Sequence, residues 1–179
     1  MNFLERLVAE LYEQRGYLVR TNVRFGNTPT KGGYHGEIDV LGVKFDENRI
    51  VHIETSSSAD TLEKQLKPLR VRFEAAPDHY RSLLSIPQDF AIESVDRLFI
   101  FAGSASPRTK TRSLINEFKT NVGVKVWPMS RLMKEVVEHV RTRPKGTVIP
   151  ESSGYLRAIQ FAMPYSGASS PLSTGEDLT

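Results

Sequence analysis

The stretch GEIDVLGVKFDENRIVHIETS, residues 36–56, constrains the fold more than any other part of the chain. EIDVLGVKF (37–45) and RIVHIETS (49–56) are apolar, β-branched runs. The residues between them, Asp46, Glu47 and Asn48, are polar and suited to a hairpin turn. Two neighbouring antiparallel strands are the expectation. Each run carries an acidic residue, Asp39 and Glu54, where burial favours a hydrophobic one. Burying an unpaired carboxylate is costly, so both need a counter-ion, hydrogen-bond partners or a metal.

Elements on either side of this hairpin follow from periodicity. Phe3, Leu4, Leu7, Val8 and Leu11 share one helical face, and Gly16 follows, which predicts a helix over 2–15. YLVRTNVRF (17–25) reads as a strand, and GNTPTKGGYHG (26–36), with four glycines and a proline, as a loop. D-T-L-E at 60–63 has the form of a capping box, with Asp60 as N-cap and Glu63 reaching back. The helix it opens carries an apolar stripe from Leu62 through Leu66, Leu69, Phe73, Ala76 and Tyr80 to Leu84, with a kink or break expected at Pro68 and Pro77. DRLFIFAG (96–103) reads as a central buried strand, 106–121 as a helix capped by Ser106, 122–128 as a short strand and 129–143 as an amphipathic helix. This order predicts an α/β fold: a mixed central sheet, an antiparallel hairpin plus parallel strands, flanked by helices. The core is assigned to 1–145, and a C-terminal extension, a short helix or strand, to 146–163. The Ser-, Gly- and Pro-rich tail 164–179 is expected to be disordered unless a protein partner orders it.

A chain of 179 residues with 39% hydrophobic content can bury one substantial core. No cysteine is present, which excludes disulfides, thiol nucleophiles and zinc ribbons and leaves oxygen or imidazole as the only metal donors. No stretch approaches the roughly 18 apolar residues of a membrane span. MNFLERLVAEL reads as an amphipathic helix rather than a secretion signal, so a cytoplasmic protein is expected. Charge is uneven: residues 1–96 hold 12 Lys/Arg and 15 Asp/Glu, whereas 97–145 hold 11 and 3. A segment of net +8 suits a polyanion such as DNA, or is an ordinary solvated surface.

Carboxylates converging on adjacent strands make a hard-oxygen site suited to Mg2+ or Mn2+. The pattern G-E-I-D (36–39), 15 residues from Asp39 to Glu54, and then a helix resembles the PD-(D/E)xK, or restriction-endonuclease-like, nuclease superfamily. The likeness covers about residues 2–127. It implies a restriction-endonuclease-like core and a metal-dependent deoxyribonuclease, an endonuclease rather than an exonuclease, often dimeric. In that pattern Asp39 and Glu54 are the catalytic, metal-binding carboxylates, and the Thr55 backbone carbonyl is an accessory ligand. Glu10 on the first helix or Glu37 beside Asp39 completes the shell.

The superfamily's lysine falls at position 56, where this chain has Ser56. A serine hydroxyl supplies no positive charge near a scissile phosphate. Lys64 or Lys67 on the following helix could compensate, although helical phase points both away from the apolar stripe; Gln65 and Arg72 flank the stripe better. His52, two residues before Glu54, and His35 could be a ligand or a general base, the plainer reading of each being a satisfied histidine. Lys31 in the glycine-rich loop and Arg108, Lys110 and Arg112 at a helix start are candidate DNA contacts. The alternative keeps the fold without the chemistry: a degenerate nuclease domain binding nucleic acid or a protein. A third reading, an unrelated interaction module, pairs Asp39 and Glu54 with arginines.

Overall fold

A computed structural model describes residues 2–28, 33–58, 60–102, 109–144 and 146–166. Helix α1 (Phe3–Gln14) opens with a capping box in which the Asn2 side chain accepts from the Glu5 N–H and the Glu5 carboxylate accepts from the Asn2 N–H. Gly16, at φ 88°, then turns the chain into β1 (Leu18–Thr28). The expected hairpin follows as β2 (Gly33–Lys44) and β3 (Arg49–Ser56), antiparallel and joined by a short 3-10 turn, Phe45–Glu47. Asn48 closes that turn in the left-handed region, φ 50°, which asparagine tolerates.

Helices α2 (Leu62–Ala75) and α3 (Tyr80–Leu84) carry the chain across to β4 (Ser94–Phe101), parallel to β3. Helix α4 (Thr109–Val122) makes the next crossover to β5 (Lys125–Pro128), and α5 (Met129–Arg141) and α6 (Gly154–Ser166) complete the fold. The sheet is five-stranded and mixed, in the order β1-β2-β3-β4-β5. Among the described residues no helix is long and apolar enough to cross a membrane.

Strand β4 shows how both faces are covered. Leu98 and Ile100 pack with Leu7 of α1, Leu132 and Val136 of α5 and Leu156 of α6, while Phe99 and Phe101 pack with Phe73 of α2 and Phe118 of α4. A strand buried on both sides reads as a continuous apolar run, as DRLFIF does. A third cluster closes the sheet on the α3 side, where Tyr80 and Leu84 meet Phe25, Leu41, Val43 and Ile50.

Several sequence expectations need correction. Most of the glycine-rich segment 26–36 is strand: β1 runs to Thr28 and β2 starts at Gly33, since ladder pairing offsets the weak local propensity. Residues 29–32, including Lys31, lie outside the described residues. The capping box at 60–63 does not form. Thr61 is the N-cap without a side-chain bond, and the Asp60 carboxylate accepts instead from the Ser58 hydroxyl. Helix α2 passes through Pro68 unbroken, and the break comes at Pro77. Ser106 and the tail from 167 onward also lie outside the described residues.

Glu10 has a role that the resemblance did not imply. Its side chain is 2% exposed, and one oxygen accepts from the backbone N–H groups of Tyr155 (2.9 Å) and Leu156 (3.1 Å), the first turn of α6. The other oxygen is held by Arg6 at 3.1 Å. Glu10 thus caps α6 against α1 and satisfies donors that a helix start leaves open. The extension 146–163 is therefore helical from Gly154 onward, and Leu156, with Ile149 before the helix, is fully buried in the α1–α5 cluster. Replacing Glu10 by alanine is expected to cost about 1.5–3 kcal/mol, the worth of hydrogen bonds to a charged group. It should also accelerate amide exchange at Tyr155 and Leu156. Denaturant unfolding with exchange measurements checks this, and unchanged values for both would remove Glu10 as the cap.

Candidate functional site

The β2–β3 ladder runs from Lys44 opposite Arg49 to Val40 opposite Ile53. The next pair in register is Asp39 with Glu54, and there the ladder opens: β2 continues against β1 only, β3 against β4 only. Directly opposite residues of an antiparallel pair project to the same side, so the opening sets two carboxylates next to each other. The freed backbone N–H of Thr55 is taken up by Asp39, whose Oδ2 accepts from Thr55 N at 2.6 Å and from the Thr55 hydroxyl at 3.0 Å.

Glu54 has no exposed surface. Its Oε2 accepts from Arg72 of α2 at 2.6 Å, and its Oε1 lies 3.0 Å from His52 Nε2. His52 is itself fully buried, with Nδ1 2.7 Å from the Tyr80 hydroxyl and its ring 4.4 Å from that of Phe73. Burial, followed by the nearby Arg97 and Arg72 charges, pushes the imidazole down to about 3, so His52 is neutral. A neutral ring between a carboxylate and a hydroxyl donates from Nε2 to Glu54 and accepts at Nδ1 from Tyr80. His52 is therefore a satisfied core histidine that fixes one oxygen of Glu54, not a free base. The Tyr80 hydroxyl, pushed up to about 12 mainly by burial, is steadied in turn by the Arg97 guanidinium.

Both carboxyls are short of positive charge. Burial first, and then Glu54, pushes Asp39 from 3.8 up to about 6 against the Thr55 hydrogen bonds. Burial pushes Glu54 from 4.5 up to about 7, with Arg72 opposing and Glu37 and Glu5 adding to the rise. Glu5 is the acid of α1 that bears on this site. It is buried, holds Asn2, and lies 3.5 Å from Asn22 Nδ2, which also reaches Glu37 at 3.3 Å. The capping pattern Asn2-x-x-Glu5 was the signal that could have found it. Glu37 is 40% exposed and pairs with Arg24 at 3.2 Å, so its carboxylate is turned toward the β1 edge. Among the described residues no three acidic or imidazole groups form a complete protein shell for an ion.

Beside the carboxylates is a cleft of about 220 Å³ whose wall includes Thr55, Ser56, Asp60, Lys64, Gln65 and Arg72. Ser56 provides only a hydroxyl, which accepts from Ser58 N at 3.2 Å. Gln65 is committed to the Asp60 carbonyl at 2.6 Å. Lys64 is exposed at the rim. Among the described residues Arg72 is the cation that reaches Glu54, and its aliphatic stem crosses β2 where Gly36 has no side chain: a Cβ there would lie 3.0 Å from the Phe25 ring and 3.3 Å from Arg72 Cγ. Arg112 is exposed on α4, Arg108 lies outside the described residues, and the side chains of Lys110 and His35 are not described either. Several charges of the basic segment are used within the fold, Lys125 on Asp96, Arg131 on the Trp127 ring and Arg143 on Gln14.

A carboxyl whose pKa is higher folded than unfolded binds more protons in the folded state. Stability therefore falls as pH rises between the two values and is level outside them. The interval is 3.8 to about 6 for Asp39 and 4.5 to about 7 for Glu54. Denaturant midpoints are expected to decline across this range. Asp39→Asn, which keeps an acceptor for Thr55, should lessen the decline and be more stable than the parent at neutral pH. An equal decline in both proteins would remove Asp39 as its source.

No protein-family model matches this chain and no curated protein matches it with significance, so what it does has to be read from the residues of this site.

Proposed function

We propose that the chain is a metal-dependent nuclease with a restriction-endonuclease-like core that hydrolyses phosphodiester bonds in DNA. One observation carries this reading: the hairpin opens at the single register position where Asp39 and Glu54 stand opposite each other, beside a cleft with a cation built into its wall. Two hard carboxylates raised by burial and by neighbouring acids suit Mg2+ or Mn2+, since Mg2+ takes one or two protein carboxylates and leaves its remaining positions to water and substrate. Asp39 and Glu54 would hold the ion, with Thr55 as the accessory backbone ligand. A bound ion supplies Lewis acidity toward water and the scissile phosphate.

The remaining work belongs to the chain's own side chains. Arg72 takes the place of the lysine absent at position 56: its side chain is 35% exposed and forms part of the cleft wall, where a phosphate would meet it. A guanidinium presents paired donors that match phosphate oxygens and stays charged at any working pH. Lys64 at the rim and the exposed Arg112 add charge that positions the DNA backbone without reading bases. His52 and Tyr80 keep one oxygen of Glu54 occupied from beneath and leave the other directed at α2.

The alternative, a nuclease-fold domain that binds nucleic acid without cutting it, is favoured by the same Arg72 contact, because the guanidinium already occupies Oε2 of Glu54. One assay separates the two. With Mg2+ or Mn2+, the parent should cleave DNA, Asp39→Asn and Glu54→Gln should abolish cleavage, and Arg72→Gln should slow it by roughly 10²–10³-fold, the usual cost of a preorganised charge donor. If the parent cuts no DNA in either metal while Asp39→Asn still binds DNA normally, the non-catalytic reading stands.

A further inference from the structure

A second cleft, of about 380 Å³, lies away from the carboxylates at the opposite end of the sheet, where β2 finishes and β3, β4 and β5 begin. Its volume is within the roughly 300–1,000 Å³ of small-molecule sites. Three aromatic rings, Tyr12, Tyr17 and Trp127, line it together with Leu98, which is 2% exposed. Tyr12 and Tyr17 meet edge to face at 5.2 Å, so one wall is a fixed aromatic corner.

The charged lining is unequal. Arg15, Lys44, Arg49 and Lys125 face only two acids, Glu47 and Asp96. Glu47 is shared between Lys44 and Arg49, and Asp96 pairs with Lys125 at 2.8 Å. Arg15 is tied to Glu135 of α5, outside the lining, at 2.9 Å, and also stands 5.5 Å from the Tyr12 ring. Within the cleft the cations thus exceed the acids, and the excess lies around Glu47, which has to serve two of them. Lys44 and Lys125 are contributed by the ends of β2 and β5, and Arg49 starts β3, so the sheet itself holds the cations in place.

We propose that this cleft is a nucleotide-binding site: the aromatic corner and Trp127 take a planar base, and the cations at the strand ends take its phosphate. Aromatic rings stack with any base, and an arginine and lysines supply the phosphate contacts. The site shares no residue with the Asp39–Glu54 cleft, so it stands whether or not that site cuts DNA. The ligand's shared chemistry is an aromatic base with a phosphate, and its source is a free nucleotide or the 5′-phosphorylated end of a nucleic acid.

Trp127 is the only tryptophan in the chain, so the tryptophan fluorescence and the indole N–H resonance come from a side chain that lines this cleft. The full chain is titrated with AMP, with ATP, and separately with adenosine and inorganic phosphate. Saturable changes at Trp127 are expected with both nucleotides, and much weaker ones with the two halves. Lys125→Glu reverses a charge whose side chain is 60% exposed, and it should weaken AMP binding by roughly tenfold or more without unfolding the protein. Tyr17→Leu should weaken AMP and adenosine together, and Asp39→Asn should change neither. Competition by a 5′-phosphorylated oligonucleotide identifies a nucleic-acid end as the source, and its failure to compete identifies the free nucleotide. The proposal is overturned if neither nucleotide alters the fluorescence or the indole resonance at millimolar concentration. It is equally overturned if Lys125→Glu and Tyr17→Leu both bind AMP like the parent.

Discussion

A carboxylate with no access to water dictates its surroundings, and Glu54 is the point from which the centre of this molecule is organised. Each of its oxygens has to be met by a donor. One donor comes from α2 as Arg72 and the other from the same strand as His52. His52 then needs Tyr80 from α3, and Tyr80 lies beside Arg97 of β4. Four elements are thereby tied through one buried polar chain. Such networks are stabilising only when every member is satisfied, which leaves little freedom to move α2 or α3 relative to the sheet.

The second constraint is backbone pairing. A ladder that stops at Val40 and Ile53 leaves main-chain groups to be satisfied otherwise, and the Asp39 carboxylate does so for Thr55. Opening the hairpin and bringing two acids together are therefore one structural event. Gly36 belongs to it as well, because only a residue without a side chain lets the Arg72 stem and the Phe25 ring pass over β2 together. Glu54 is met by the Arg72 guanidinium and Asp39 by the Thr55 donors, and burial together with the neighbouring acids outweighs both, so both carboxyls are raised.

Much of the architecture was legible in the sequence because its signals were periodic. The two apolar runs of 37–56 with a polar turn between them, the helical spacing of Leu4, Leu7, Val8 and Leu11, and the unbroken run DRLFIF each state a burial pattern, and the mixed sheet between helices follows from their order. Asp39 and Glu54 were legible for the opposite reason, since they break the pattern. What could not be read was which polar groups meet at long range. Glu10 and Glu5 lie on one helix and look alike in sequence, yet Glu10 caps α6 while Glu5 closes the capping box of α1 and adds to the rise of Asp39 and Glu54. Nothing local to α1 says that a helix start will arrive 145 residues later. Similarly, Arg72 could be placed near the stripe by helical phase but not onto Glu54, because its reach depends on Gly36 in another strand. The glycine-rich segment misled because pairing partners, not local composition, decide whether such residues become strand.

The cap that Glu10 provides also sets an order of events in time. As the chain is synthesised, Glu10 of α1 precedes the amide of Tyr155 by 145 residues, so its carboxylate and the apolar face around Leu7 and Leu11 stay unfinished until α6 has been made. The α1 layer closes only when α6 arrives. Docking of α6 is thus a checkpoint for the α1 layer: a chain stopped short of residue 156 keeps its sheet-forming segments but exposes the seam that α6 would seal, the kind of surface that chaperones and proteases recognise.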